Sequence, residues 1–153
     1  MIKQSRMNDN FQLDQRLSSD CHKLASLPLC ELLLMNNALI PWFILVPRTQ
    51  ETELHRLPPS QQQPLLEEIN LISRFVEQHF NPDKLNVAAI GNIVRQMHIH
   101  LVARKESDIC WPGVVWGVSQ REAYTQSRLD EVALQLHEFL PGETRFHQIS
   151  AKP

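Results

Sequence analysis

Hydrophobic residues recur along the chain with two different periods, and these divide most of it into elements. From Leu13 to Leu27 the apolar positions are Leu13, Leu17, Cys21, Leu24 and Leu27. That three-to-four spacing predicts a short helix. Leu29–Met35 and Trp42–Val46 are two compact apolar runs, with Asn36–Asn37 as the turn after the first and Pro47 closing the second. Such a pair predicts a β-hairpin. Ser60 followed by Gln63 has the form of a capping box, and Pro64 is placed in the first turn of the helix that follows. Leu65, Ile69, Ile72, Val76 and Phe80 then mark the clearest amphipathic helix, with Asn81-Pro82 as its stop. Leu85–Ile90 reads as a strand, Gly91-Asn92 as a turn, and Met97–Ala103 as a strand of strict alternation. A last helix starts near Thr125 or Ser127, presents Leu129, Val132, Ala133, Leu136, Phe139 and Leu140, and ends at Pro141-Gly142.

The order is helix, two strands, helix, two strands, helix. Short links within each strand pair imply a largely antiparallel sheet with helices packed on it, an α+β domain. No repeat or linker composition interrupts residues 1–153, so one domain is expected, with loose tails at 1–10 and 145–153. At 153 residues and 42% hydrophobic, the chain is long enough for one substantial core and short for two.

Charge narrows the function. Fifteen Lys+Arg stand against seventeen Asp+Glu, so nothing drives nonspecific nucleic-acid binding. No apolar run approaches the roughly 18 residues of a membrane helix, and Met1–Phe11 lacks the apolar centre of a signal peptide. Three cysteines, Cys21, Cys30 and Cys110, form no disulfide framework and fit a reducing cytoplasm.

The informative chemistry is in Gln96-Met97-His98-Ile99-His100-Leu101-Val102. On a strand, Gln96, His98 and His100 share one face, and Met97, Ile99, Leu101 and Ala103 share the other. Residues two apart lie roughly 6.7 Å apart, so two imidazoles can meet one substrate group. Imidazole is suited to act as nucleophile, base or acid near neutral pH. Three other readings fit the pair: decoration of an exposed strand, core histidines satisfied by hydrogen bonds, or metal ligation with a third ligand from Asp108 or Cys110.

The stretch Lys84–Arg104, with its Gln-φ-His-φ-His-φ-φ core (φ apolar), resembles the signature region of the histidine triad (HIT) family, and the hairpin before it resembles that family's N-terminal hairpin. The likeness covers roughly residues 29–110. Asp108–Gly117 is similar to a bacterial subgroup that also carries Gln at the first triad position. The resemblance implies an α+β homodimer that hydrolyses or transfers nucleotidyl groups, without a cofactor. It implies that His98 attacks the α-phosphorus to form a nucleotidyl-histidine. His100 then contacts the phosphate and sets the nucleophile, and Gln96 completes the catalytic set as a hydrogen-bonding amide. Asn36, or else Asn37, falls where the family binds ribose, Asn86 falls near the substrate, and Asn92 joins them as a substrate-binding candidate. The implied ligand is a dinucleoside polyphosphate, a nucleoside phosphoramidate or an adenylylated conjugate.

Three positions depart from the family pattern. Gln96 replaces a histidine and cannot carry charge. Ile93 stands where many members place Ser or Thr, and Trp42 where many place His. These departures imply slower transfer or an unusual leaving group, and they motivate a second hypothesis, a nucleotide sensor or scavenger with little turnover.

Other residues are read more plainly. Arg104 shares the histidine face, but at about 13 Å from His100 along an ideal strand it is read as a surface ion pair. Arg95 points to the opposite face and is read as structural or solvated. Trp111 and Trp116 are read as packing or substrate-rim residues, and Cys110 as a bystander thiol. His22, His55, His79, His137 and His147 are read as surface or capping residues.

Overall fold

The computed structural model describes residues 10–153. Six strands form one sheet in the order β4-β5-β3-β2-β1-β6, every neighbouring pair antiparallel. They are β1 (Cys21–Ser26), β2 (Cys30–Met35), β3 (Trp42–Pro47), β4 (Lys84–Ala88), β5 (Ile99–Arg104) and β6 (Arg145–Phe146). Helices α1 (Gln15–Asp20), α2 (Pro59–Phe80) and α3 (Gln126–Phe139) complete the α+β architecture, with a 3-10 turn at Leu54–Arg56.

The Leu13–Leu27 segment departs from expectation. Only Gln15–Asp20 is helical, capped by Asp14, whose carboxylate accepts from the backbone N–H of Arg16 at 2.8 Å. The remainder is β1, whose register against β2 slips between Lys23 and Ala25. That irregularity buries Leu24 and Ala25 together and breaks the two-residue alternation. Apolar residues three apart therefore arise on a strand and imitate a helix.

Helix α2 also begins differently. It starts at Pro59 behind Pro58, with no side-chain cap, so the Ser60–Gln63 capping box does not form. Pro64 lies inside the helix rather than in its first turn. Proline at the first helical position is favourable, because that residue's N–H has no intrahelical partner in any case. Asn81 ends the helix in the left-handed conformation (φ 43°), as the Asn-Pro stop predicts.

Helices α2 and α3 bury Leu65, Ile72, Phe75, Val76, Leu129, Val132 and Leu136 on one sheet face, where Met97, Ile99, Leu101 and Ala103 of the histidine strand meet them. The apolar half of the predicted alternation is thus in the core. The other face carries Leu33, Trp42, Ile44, Val46 and Val102, covered by Leu17 of α1, Phe11, Leu13, Val94, Val115 and Trp116. Buried Glu68 of α2 ties the first face to the β1–β2 turn, accepting from the backbone N–H groups of Leu29 (2.7 Å) and Cys30 (2.9 Å).

The C-terminal stretch, expected to be loose, is anchored. Ala25 and Ser26 pair with Phe146 and Arg145, and the Lys152 ammonium donates to the carbonyls of Ser18 (2.7 Å) and Cys21 (2.5 Å). Of the N-terminal tail, residues 1–9 lie outside the described residues.

Candidate active site

β5 sits between β4 and β3 in the sheet, with His100 opposite Ile44 on β3 and Ala88 on β4. A strand flanked on both sides cannot slip, so its side-chain parity is fixed. The strand is shorter than the expected Met97–Ala103: it begins at Ile99, so Gln96 and His98 lie in the segment that leads into it, yet the His98 and His100 rings still meet, 4.8 Å apart between centroids and edge to face. Both residues are buried, yet His98 also lines an open cleft of about 690 Å³.

Their hydrogen bonds assign opposite tautomers. His98 Nδ1 lies 2.7 Å from the carbonyl oxygen of Gln96. A carbonyl only accepts, so Nδ1 carries the proton, and in the uncharged form of the ring Nε2 keeps the lone pair. His100 Nδ1 instead accepts from the indole N–H of Trp42 at 2.9 Å. Indole only donates, so the neutral His100 ring holds its proton on Nε2. Burial, reinforced by the neighbouring His98, pushes the His100 imidazole down to about 4, so it is neutral at pH 7. Trp116 packs edge-on against both His100 and Trp42, with centroids 5.1 and 5.7 Å away, and closes this aromatic box.

Gln96 is engaged by backbone. Its Oε1 accepts from Asp14 N–H at 2.8 Å and its Nε2 donates to the Gln12 carbonyl at 2.9 Å. Asn86 Oδ1 accepts from Arg104 Nη1 at 2.9 Å. Asn36 Oδ1 accepts from the backbone N–H of Tyr124 at 3.0 Å and lies 3.1 Å from His22 Nε2. Buried Asn37 accepts from the N–H groups of Leu39 and Glu122. Asn92 alone of the asparagine candidates lines the cleft with His98.

Arg104 is buried, not at the surface. Its guanidinium grips Asp108 through Nε (2.7 Å) and Nη2 (3.1 Å). The chain after β5 folds back, which the ideal-strand distance could not anticipate. Burial opposes ionisation of Asp108, but the Arg104 guanidinium and the N–H groups of Cys110 and Lys105 hold its carboxyl at about 2. Cys110 is a free thiol against the same pair, and Trp111 stacks under the guanidinium at 5.6 Å.

His55, read as a surface or capping residue, lines the His98 cleft together with Thr52, Glu53, Asn92 and Arg95. Nothing local in the sequence signals this, since the 3-10 turn that carries His55 reaches the cleft from outside the motif. Arg95 likewise reaches that cleft despite its parity. His22 is buried rather than superficial, and His147 is half-buried between Ser26 (3.0 Å) and Glu31 (3.7 Å). Among the described residues no group of three or more His, Cys, Asp or Glu side chains stands close enough together to hold a metal ion.

Two imidazoles packed edge to face, His98 at a cleft and His100 behind it with its proton on Nε2, are groups of the kinds that serve as nucleophile and as hydrogen-bond donor. With this antiparallel α+β frame, the pair defines the class: an α+β protein with two histidines brought together at the start of a central strand. The HIT domain family model matches residues 16–107, and the chain belongs to that family. Crystal structures of histidine triad proteins from Marinobacter aquaeolei and Sinorhizobium meliloti are 44% and 39% identical, with TM-scores of 0.81 and 0.82. The matches cover 85% and 86% of this chain, and 96% and 98% of those proteins. An adenylylsulfatase of Arabidopsis thaliana is 29% identical over 102 residues; the match covers 63% of this chain and spans about half (52%) of that relative.

Proposed function

We propose that this protein is a nucleotidyl-transferring hydrolase that works through a nucleotidyl-histidine. The observation that carries the reading is the opposite tautomers of the two rings. His98 Nε2 attacks the α-phosphorus, a P–N bond forms, and the bond to the leaving group breaks with its electron pair on the departing atom, an amine leaving group taking a proton from solvent so that it departs neutral. As the His98 ring becomes cationic, its Nδ1–H bond to the Gln96 carbonyl becomes charge-assisted and strengthens. His100 Nε2–H is the donor for the negative charge growing on the non-bridging oxygens. Water then attacks phosphorus and gives up a proton to solvent, the P–N bond breaks, and the nucleoside monophosphate leaves while His98 recovers its lone pair.

Membership of the family supports this general type of activity. The substrates proposed are a dinucleoside polyphosphate or a nucleoside phosphoramidate, and the likeness to an adenylylsulfatase adds adenylyl sulfate as a probe. Asn92, at the mouth of the cleft, is the asparagine best placed to meet substrate. Asn36 and Asn86 are proposed to support the site from behind, since their side-chain oxygens already serve the protein. A homodimer is proposed through β4, an edge strand that exposes Val87 (48%), with Ile90 (42%) just beyond it. The three free thiols support a reducing compartment such as the cytoplasm.

Mass spectrometry of the protein quenched during turnover of a labelled nucleotide, without acid, tests the reading. An adduct on His98 that is absent from His98→Ala is the expected result. Full activity in His98→Ala ends the mechanism. Tight nucleotide binding in calorimetry with no product over hours favours the sensor instead.

A further inference from the structure

Gln96 stands where the family motif has its first histidine, but its amide is bonded to backbone more than eighty residues away. Oε1 takes the N–H of Asp14 and Nε2 gives to the carbonyl of Gln12. These two groups flank Leu13, so one side chain does for the arm what a residue of a parallel neighbouring strand would do.

The consequences run along the arm. Fixing residues 12–14 seats Phe11 and Leu13 on the apolar cluster with Leu33, Trp42 and Ile44, the face from which His100 projects. It also fixes Asp14, the cap of α1, and Leu17 enters the same cluster. The far end of α1 is held by Lys152. The arm and α1 thus form a cover tied at one end to the segment that leads into β5 and at the other to the C-terminal segment. Gln96, Phe11, Gln12 and Thr52 line a hollow of about 350 Å³. Thr52 also lines the His98 cleft, so the hollow that the arm lines adjoins that cleft.

We infer that Gln96 is a positioning residue. It latches the arm Phe11–Asp14 as one wall of the substrate site and does not touch the reacting phosphate. The substrate part of this statement rests on the nucleotidyl reading; the latch itself does not.

The test uses the full chain, with Gln96→Ala and Gln96→Glu, the latter keeping an acceptor for Asp14 but losing the donor to Gln12. Amide hydrogen exchange is followed at Gln12–Leu17, and steady-state kinetics with a nucleoside phosphoramidate. In Gln96→Ala, exchange at Asp14 rises roughly tenfold or more, as expected for the loss of two ordinary hydrogen bonds. KM rises by a similar factor, and kcat stays within about threefold. Gln96→Glu falls between, and Phe11→Ala/Leu13→Ala reproduces the KM effect without adding to it in combination. Unchanged Asp14 exchange in both Gln96 variants overturns the latch. A fall in kcat of a hundredfold at constant KM overturns the positioning role, and faster exchange with unchanged KM overturns the wall. If no variant, wild type included, forms a His98 adduct, the nucleotidyl reading falls, and Asp14 exchange still decides the latch.

Discussion

The indole N–H of Trp42 lies 2.9 Å from His100 Nδ1, and that bond determines which nitrogen of the imidazole can face a phosphate. Trp42 opens β3 beside β5, opposite Val102 in register, so the contact is built into the sheet. Replacing Trp42 by Phe keeps an aromatic ring and removes the donor. The buried Nδ1 is then unpaired, which costs about 1–3 kcal/mol of stability. The ring also becomes free to place its proton on either nitrogen. Urea unfolding should show that loss, and 15N chemical shifts of the imidazole should move from one tautomer to a mixture. Rapid-quench measurement of His98 adduct formation should slow by tenfold or more. An unchanged tautomer in Trp42→Phe sinks the assignment.

Acid should weaken the fold through the same residue. An unfolded histidine protonates with a pKa of about 6.5, whereas His100 in the fold is held at about 4 by burial and by His98. Between those values the unfolded chain binds more protons, so stability is fully present above pH 6.5 and falls as pH drops toward 4. For this one group the loss is on the order of 3 kcal/mol, complete once the pH is below 4. Buried His22 is shifted in the same direction, chiefly by burial, and adds to the trend. His100→Asn keeps a side-chain acceptor for Trp42 and cannot titrate. Denaturation series at pH 7.5 and pH 4.5 should show a smaller acid loss in that variant than in the wild type. Equal losses would remove His100 as the source.

Much of this was legible in the sequence, and the illegible parts share a cause. The faces of α2 and α3, and the separation of Met97, Ile99, Leu101 and Ala103 from the histidines, follow from local periodicity. β1 did not follow, because the slip at Lys23–Ala25 replaces alternation with a helix-like spacing. The Gln96 contact with Asp14 spans 82 positions and the Trp42 contact with His100 spans 58. No periodicity encodes such pairs. Trp42 was visible as the start of an apolar run and as a departure from the family pattern, and its role as a donor required the register of β3 on β5.

The buried ion pair behind the site offers a stability prediction. Arg104 and Asp108 have side chains only 2% and 5% exposed, and Trp111 covers the guanidinium. Asp108→Ala leaves a buried cation with Asn86, Cys110 and the Trp111 ring near it but no anion among these neighbours. Breaking a buried pair from one side typically costs about 3–5 kcal/mol. Urea unfolding at pH 7 should show a loss of that order. The wild-type carboxyl is held at about 2, so its contribution is present above pH 4 and fades as the pH falls toward 2. The difference between wild type and variant should narrow over that interval. A loss below about 1 kcal/mol would place the pair with exposed salt bridges instead.

The charged rim of the His98 cleft makes the last prediction, about leaving groups. Arg95 lines it with Glu53, so a cationic and an anionic side chain face the same space beside His98. A departing polyphosphate carries several negative charges through this space, whereas the amine of a phosphoramidate carries none. Arg95 is exposed, so its charge acts through water and is worth little more than about 1 kcal/mol. Arg95→Ala should therefore lower kcat/KM for a dinucleoside polyphosphate by about three- to fivefold and leave the phosphoramidate nearly unchanged. Glu53→Gln should act in the opposite sense on the same substrate pair. Both effects should shrink as salt rises from 0.02 to 0.5 M, since exposed charges are screened over a few ångströms at the higher value. Measuring the two substrates side by side cancels any general effect on folding. Equal losses on both substrates in Arg95→Ala would mean that the leaving group departs by another route.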